Sequence, residues 1–140
     1  MKRVLILADH TLVVHAIRMA LRQTAGFEIV GFVDGRGSAD AALAELHPDV
    51  VLVTDMPNPA HALARLREAR ECAPLAQSLL LTLDMEEDRV SEAFEAGADA
   101  VVSKALRPTA FGTLLREIVQ GNVVHRPRTR YNRACRRPLP

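Results

Sequence analysis

Five short apolar runs, each of strand length and each separated from the next by a stretch with helical spacing, constrain this chain more than any other feature. The runs cover residues 3–8, Phe27 to Val33, Val50 to Val53, Ser78 to Leu83 and Ala100 to Ser103. Between them, residues 12–24 place Leu12, Ile17, Ala20 and Leu21 on one side of a helix, and Gly26 follows as a stop. Ser38 is positioned to cap a short helix that runs to Leu46. Ala60 to Cys72 reads as a helix with Leu63 and Leu66 inward and Arg65, Arg67, Arg70 and Glu71 largely outward. Glu86 to Ala96 has an acidic first turn that suits the helix dipole, and Gly97 ends it. Pro108 opens a last helix that extends to about Gln120. Strands joined through helices pair in parallel, and runs apolar on both faces belong to a sheet covered on both sides.

The expected architecture is therefore α/β: a doubly wound, five-stranded parallel sheet of flavodoxin-like order 2-1-3-4-5 in three α/β/α layers. With 140 residues, 49% apolar and 25% charged, the chain has room for one core and not two. Aromatic residues are few, so Val, Leu, Ile and Ala must build that core. Charge divides the chain. Residues 122–140 hold six arginines and no acid, leaving twelve basic residues against 17 acids before them. The body is thus about −5 and the tail +6, which sets a domain at 1–121 and a basic linker or disordered tail at 122–140. Asp9 and His10 end the first apolar run too early for a signal core or a membrane span, so a cytoplasmic location and no membrane contact are expected.

In an open α/β sheet the functional crevice lies at the carboxyl ends of the strands. Asp9, Thr54, Asp55, Thr82 and Lys104 all fall there. Carboxylates faced by a hydroxyl and an ammonium suit a phosphoryl group and a divalent cation. The other polar residues carry weaker signals. His15, His47, His61 and His125 lack ligand spacing, Cys72 and Cys135 stand alone, and Gly35-Arg36-Gly37-Ser38 reads as a turn rather than a nucleotide loop. No nucleophile, base and acid order suggests an enzyme.

The stretches Val4-Leu5-Ile6-Leu7-Ala8-Asp9-His10, Pro48-Asp49-Val50-Val51-Leu52, Leu79-Leu80-Leu81-Thr82 and Ala93-Phe94-Glu95-Ala96-Gly97-Ala98-Asp99, with Lys104 and Pro108 beyond, stand in a telling order. Over residues 2 to about 120 the chain resembles a response-regulator receiver domain of two-component signalling, closest to the NarL/LuxR class. The resemblance implies an acidic pair that holds magnesium, an aspartate that accepts phosphate at the end of strand three, a Thr or Ser and an aromatic that relay the change, and a lysine at the phosphoryl group. This chain keeps Asp9, Thr82 and Lys104. Ala8 stands in place of the first acid, Val101 in place of the aromatic and Thr54 at the acceptor position of an ungapped strand three.

Loss of a carboxylate weakens a magnesium site, and a neutral alcohol is a far poorer nucleophile than a carboxylate. The expectation is an atypical receiver with a degenerate phosphorylation pocket, not an enzyme, that acts through protein contacts. Asp55 keeps an alternative open. Adjacent strand residues face opposite ways, so either Thr54 or Asp55 meets the pocket, and a bulge or one-residue slip would choose Asp55. Asp55 would then accept phosphate from a histidine kinase. A second alternative is a flavodoxin-like domain that binds a small ligand at the same strand ends. The only metal expectation is weak magnesium at Asp9 and Asp55. The partners implied are a histidine kinase or another signalling protein, a second copy through the last helix or the face of helix four, strand five and helix five, and DNA through the basic tail or a C-terminal domain beyond this chain.

Overall fold

The structure, a computed structural model, describes residues 1–121; the tail expected at 122–140 lies outside the described residues. Ten elements alternate: β1 (Lys2–Ala8), α1 (Thr11–Arg22), β2 (Phe27–Asp34), α2 (Asp40–Leu46), β3 (Val50–Thr54), α3 (Pro59–Cys72), β4 (Gln77–Thr82), α4 (Glu87–Ala96), β5 (Ala100–Ser103) and α5 (Pro108–Val119). The strands form one sheet of order β2-β1-β3-β4-β5, and all four pairings are parallel. Strand alternation divides the core in two. Val4, Ile6, Val50, Leu52, Leu79, Leu81 and Val102 meet Val14, Ile17 and Leu21 of α1 and Phe111, Leu115 and Ile118 of α5. Leu5, Leu7, Val51, Val53, Leu80 and Val101 meet Leu43 of α2, Leu66 and Ala69 of α3, and Phe94 of α4.

Local chemistry sets the helix ends. The imidazole Nδ1 of His10 accepts the Leu12 N–H at 3.2 Å, so His10 serves as the N-cap of α1. Asn58 caps α3 by accepting the Ala60 N–H at 3.0 Å, and Pro59 supplies a first-turn position that needs no donor. Gly97 ends α4 with φ at 120°, a conformation that side chains resist. In α5, a Cβ at Gly112 would come within 1.9 Å of Thr24 Oγ1, so the absent side chain lets α5 lie close against the end of α1.

Three expectations at the level of single residues are corrected. Leu12 is 71% exposed and outside the core, because the buried stripe of α1 runs through Val14, Ile17 and Leu21 and a helical step carries Leu12 off it. β4 ends at Thr82, and Leu83 is 70% exposed in the following loop. Arg65, expected outward, is only 7% exposed. Its guanidinium turns in under the β2–α2 loop, where carbonyl groups and Glu68 receive it. The α5 stripe of Phe111, Leu115 and Ile118 is buried against the sheet, with Leu114 partly buried beside it.

Candidate functional site

The pocket is built where β3, β4 and β5 end. Val53 is level with Leu80 and Thr54 with Leu81, so the next residue, Asp55, stands beside Thr82. The Asp55 N–H donates to Leu81 O at 2.9 Å and carries the ladder one residue past the strand. By alternation Asp55 shares the side of Val51 and Val53, facing α3 and α4, while Thr54 shares the side of Val50 and Leu52, facing α1 and α5.

The Asp55 carboxylate is held from three directions. Oδ2 accepts the Thr82 hydroxyl at 2.6 Å and the Leu83 N–H at 3.1 Å, and Oδ1 accepts the Lys104 ammonium in an ion pair. Lys104 is brought there by β5, whose ladder is extended by the Lys104 N–H donating to Thr82 O at 3.0 Å. Burial pushes the Asp55 carboxyl up, but the hydrogen bonds from Lys104 and Thr82, the Lys104 charge and the Leu83 N–H together hold it below the ordinary carboxylate range. A cleft of about 140 Å³ opens beside it, bounded by Met56, Pro59, Leu63, Thr82 and Arg89. The pocket is also wired to α4. Thr82 Oγ1 accepts the Asp84 N–H at 3.0 Å, and Asp84 Oδ1 accepts the Glu86 N–H at 3.1 Å where α4 begins.

This geometry corrects the ungapped register. Asp55, not Thr54, meets Thr82 and Lys104. Thr54 is fully buried, and its hydroxyl has no hydrogen-bond partner among the described residues. The chain leaves the strand at Asp55, and Met56 then packs onto Gly35, where a Cβ would lie 2.8 Å from the methionine methyl. Asn58 caps α3 directly afterwards, so the short connection carries the carboxylate at position 55.

Asp9 stands one residue past β1. Leu7 is level with Val53, which puts Asp9 level with Asp55 on the same side of the sheet. Asp9 is half-buried and has no hydrogen-bond or ion-pair partner among the described residues. Ala8, directly before it, is fully buried and offers no ligand. Magnesium takes hard oxygen ligands in octahedral array. Among the described residues no three His, Cys, Asp or Glu side chains converge as a metal group, and both Asp55 oxygens already receive donors. With Ala8 beside them, Asp9 and Asp55 alone do not complete an octahedral cation site among the described residues.

Sequence reading missed a second polar group next to this pocket. Arg65 of α3 donates from Nη1 to Gly35 O at 3.1 Å and to Gly37 O, and pairs through Nη2 with Glu68 at 3.0 Å. Glu68 in turn accepts the Ala39 N–H at 2.8 Å at the start of α2, while Ser38 Oγ accepts the Asp40 N–H at 3.2 Å. The only sequence signal was an Arg and Glu three residues apart, which is common on solvated helices.

Comparison with known proteins places this geometry. A sequence profile of the response regulator receiver domain matches residues 4–116. The response regulator protein VraR of Staphylococcus aureus is 26% identical over 125 residues, covering 89% of this chain and 60% of its own length. The chain therefore spans about 60% of that relative's length. A two-component response regulator of the LuxR family from Aurantimonas sp. SI85-9A1 superposes with a TM-score of 0.76 at 25% identity, covering 86% of each chain. A LuxR-family DNA-binding response regulator from Staphylococcus aureus shares the fold with a TM-score of 0.73 at 19% identity over 85% of this chain and 99% of that one. With the doubly wound sheet and a carboxylate, hydroxyl and ammonium at its strand ends, the chain belongs to the response regulator receiver domain family of two-component signalling.

Proposed function

We propose that this receiver works chiefly through protein contacts, with phosphoryl chemistry absent or very weak. The observation that carries the reading is the pair Ala8 and Asp9: alanine stands where the resemblance expects the first acid, and among the described residues no group of three His, Cys, Asp or Glu side chains forms a cation site around the second. Val101 supports it, since a buried valine on β5 has no ring to swing between states. A histidine kinase or another signalling protein is the partner class that fits, with a second copy of the chain as a further candidate. DNA contact would come from the basic residues of 122–140 or from a domain beyond this chain. Treatment with acetyl phosphate and magnesium, followed by intact mass spectrometry, should give no stable phosphoryl adduct.

A second reading is favoured by one observation, the Thr82 hydroxyl and Lys104 ammonium on the Asp55 carboxylate. In that reading an Asp55 oxygen forms a bond to phosphorus as the donor's bond to phosphorus breaks, and the leaving group takes the electron pair. Lys104 and Thr82 would then contact the new phosphoryl oxygens. A clear adduct in the same experiment, lost in Asp55→Asn, would replace the first reading with this one.

A further inference from the structure

A groove of about 280 Å³ opens between the first turns of α1 and α5, on the opposite side of the sheet from the Asp55 cleft. Val13 and Ile17 of α1, Leu81 of β4 and Phe111 of α5 line it. Its origin lies in small side chains. Where α1 borders the groove it presents Ala16 and Ala20, whose methyl groups leave the space between the helices unfilled. Farther along, Gly112 brings α5 hard against Thr24, so the gap is confined to the end near the strand termini. Leu12 and Leu106 also line the groove and stand exposed, so its mouth leaves apolar surface in water that an occupant would cover.

The lining has one charged residue, Lys104, with Ser103 the only other polar one. Small-ligand pockets combine an apolar wall with a few placed polar groups, and their volumes begin at about 300 Å³. An ammonium carries three donors. Asp55 Oδ1 receives one, and Asp55 O receives another at 3.4 Å. No acceptor among the described residues takes the third, and the Lys104 side chain is partly exposed. A cation at the edge of an otherwise uncharged groove fits an apolar molecule with an anionic head. A single negative charge suits it, because a dianion would also face the Asp55 carboxylate across the same ammonium.

We propose that the α1–α5 groove binds a small aliphatic carboxylate, with its chain against Val13, Ile17, Leu81 and Phe111 and its head group on the Lys104 ammonium. Lys104 then serves two carboxylates, one on each side of the sheet. The ligand competes with Asp55 for it, which couples the groove to the Asp55 pocket. The inference is independent of whether Asp55 accepts phosphate, since the groove and its cation are the same in either reading.

The experiment titrates the full chain with sodium octanoate and, separately, with 1-octanol, and follows amide ¹H–¹⁵N shifts. Octanoate should give saturating shifts at Val13, Ile17, Leu81 and Phe111. Lys104→Met should weaken octanoate about threefold, the weight of a partly exposed ion pair, and leave octanol unchanged, whereas Lys104→Arg should keep the octanoate affinity. Ala16→Phe fills the groove and should abolish both titrations. Ala16 is exposed, so the fold should survive its replacement, and a dispersed spectrum reports this for each variant. Octanoate should also move the Asp55 carboxyl titration upward in wild type. The proposal is overturned if octanoate gives no saturating shifts at the groove, if Lys104→Met leaves its affinity unchanged, if Ala16→Phe still binds it, or if Asp55 does not respond. Groove shifts that appear on raising the protein concentration alone would also overturn it, because a second copy of the chain would then be the occupant.

Discussion

Thr54 and Asp55 are neighbours in the chain, yet they end on opposite faces of the sheet with opposite fates. The face under α1 and α5 is apolar, and Thr54 is sealed there with its hydroxyl unpartnered. The face under α2, α3 and α4 holds the wired polar groups: Asp55 with Thr82 and Lys104, and Arg65 with Glu68 and the loop carbonyls. The first face is a stability layer in which a polar atom is a defect. The second tolerates the charges of Asp55 and Arg65 because each has a geometric partner, with Arg65 Nε left unpartnered among the described residues and Asp9, half-buried on the same side, without one. One step along a strand is enough to move a residue from one regime to the other.

The largest expected effect breaks the wired face. Arg65→Met removes the guanidinium that holds two loop carbonyls and leaves Glu68 without its cation, so denaturant unfolding should report a loss of about 3 kcal/mol, the scale of a buried pair broken from one side. Adding Glu68→Leu should recover part of the loss, because the stranded charge is then gone. A loss below about 0.5 kcal/mol, the level of an ordinary surface change, would show that the two faces do not differ in this way.

A smaller effect of opposite sign is expected across the sheet. Thr54→Val keeps the shape and deletes the unpartnered hydroxyl, so stability should rise by about 1 kcal/mol, the low end of the cost of a buried unsatisfied group. The Asp55 carboxyl should titrate unchanged. Destabilisation in the same unfolding experiment would mean that the hydroxyl has a partner in solution and that the apolar face is not uniform.

The smallest effect sharpens the contrast through pH. The folded Asp55 carboxyl is held below its unfolded value by Lys104 and Thr82 against the opposing effect of burial. Its stabilising contribution is therefore complete above the unfolded carboxylate range, near pH 4, and is lost as pH falls through the lowered folded value. Carboxyl ¹³C titration should place Asp55 below an unperturbed aspartate, and Lys104→Met should move it upward. Asp34 should titrate at about 2, because Arg36 donates to both of its carboxylate oxygens. An Asp55 that titrates at the unperturbed value in wild type would mean that the ion pair is not kept in solution.

What the sequence determined by itself was the sheet: five apolar runs with helical spacers leave little choice but a parallel, doubly wound order, and β1 to β5 stand in it as expected. It also determined that Asp9, Thr54, Asp55, Thr82 and Lys104 gather near the strand ends, since the apolar runs stop close to each of them. Tertiary structure decided which of two adjacent side chains faces the pocket. An ungapped count favoured Thr54, but where the chain leaves β3, with Met56 on Gly35 and Asn58 capping α3, Asp55 meets Lys104. Tertiary structure also decided that Arg65 points inward. An arginine and a glutamate three residues apart look alike on a solvated helix and on a buried one, because periodicity records hydrophobicity and not the presence of loop carbonyls waiting for a donor. Pairings between distant residues depend on which backbone groups the fold leaves unsatisfied, and that is settled only when the loops are in place.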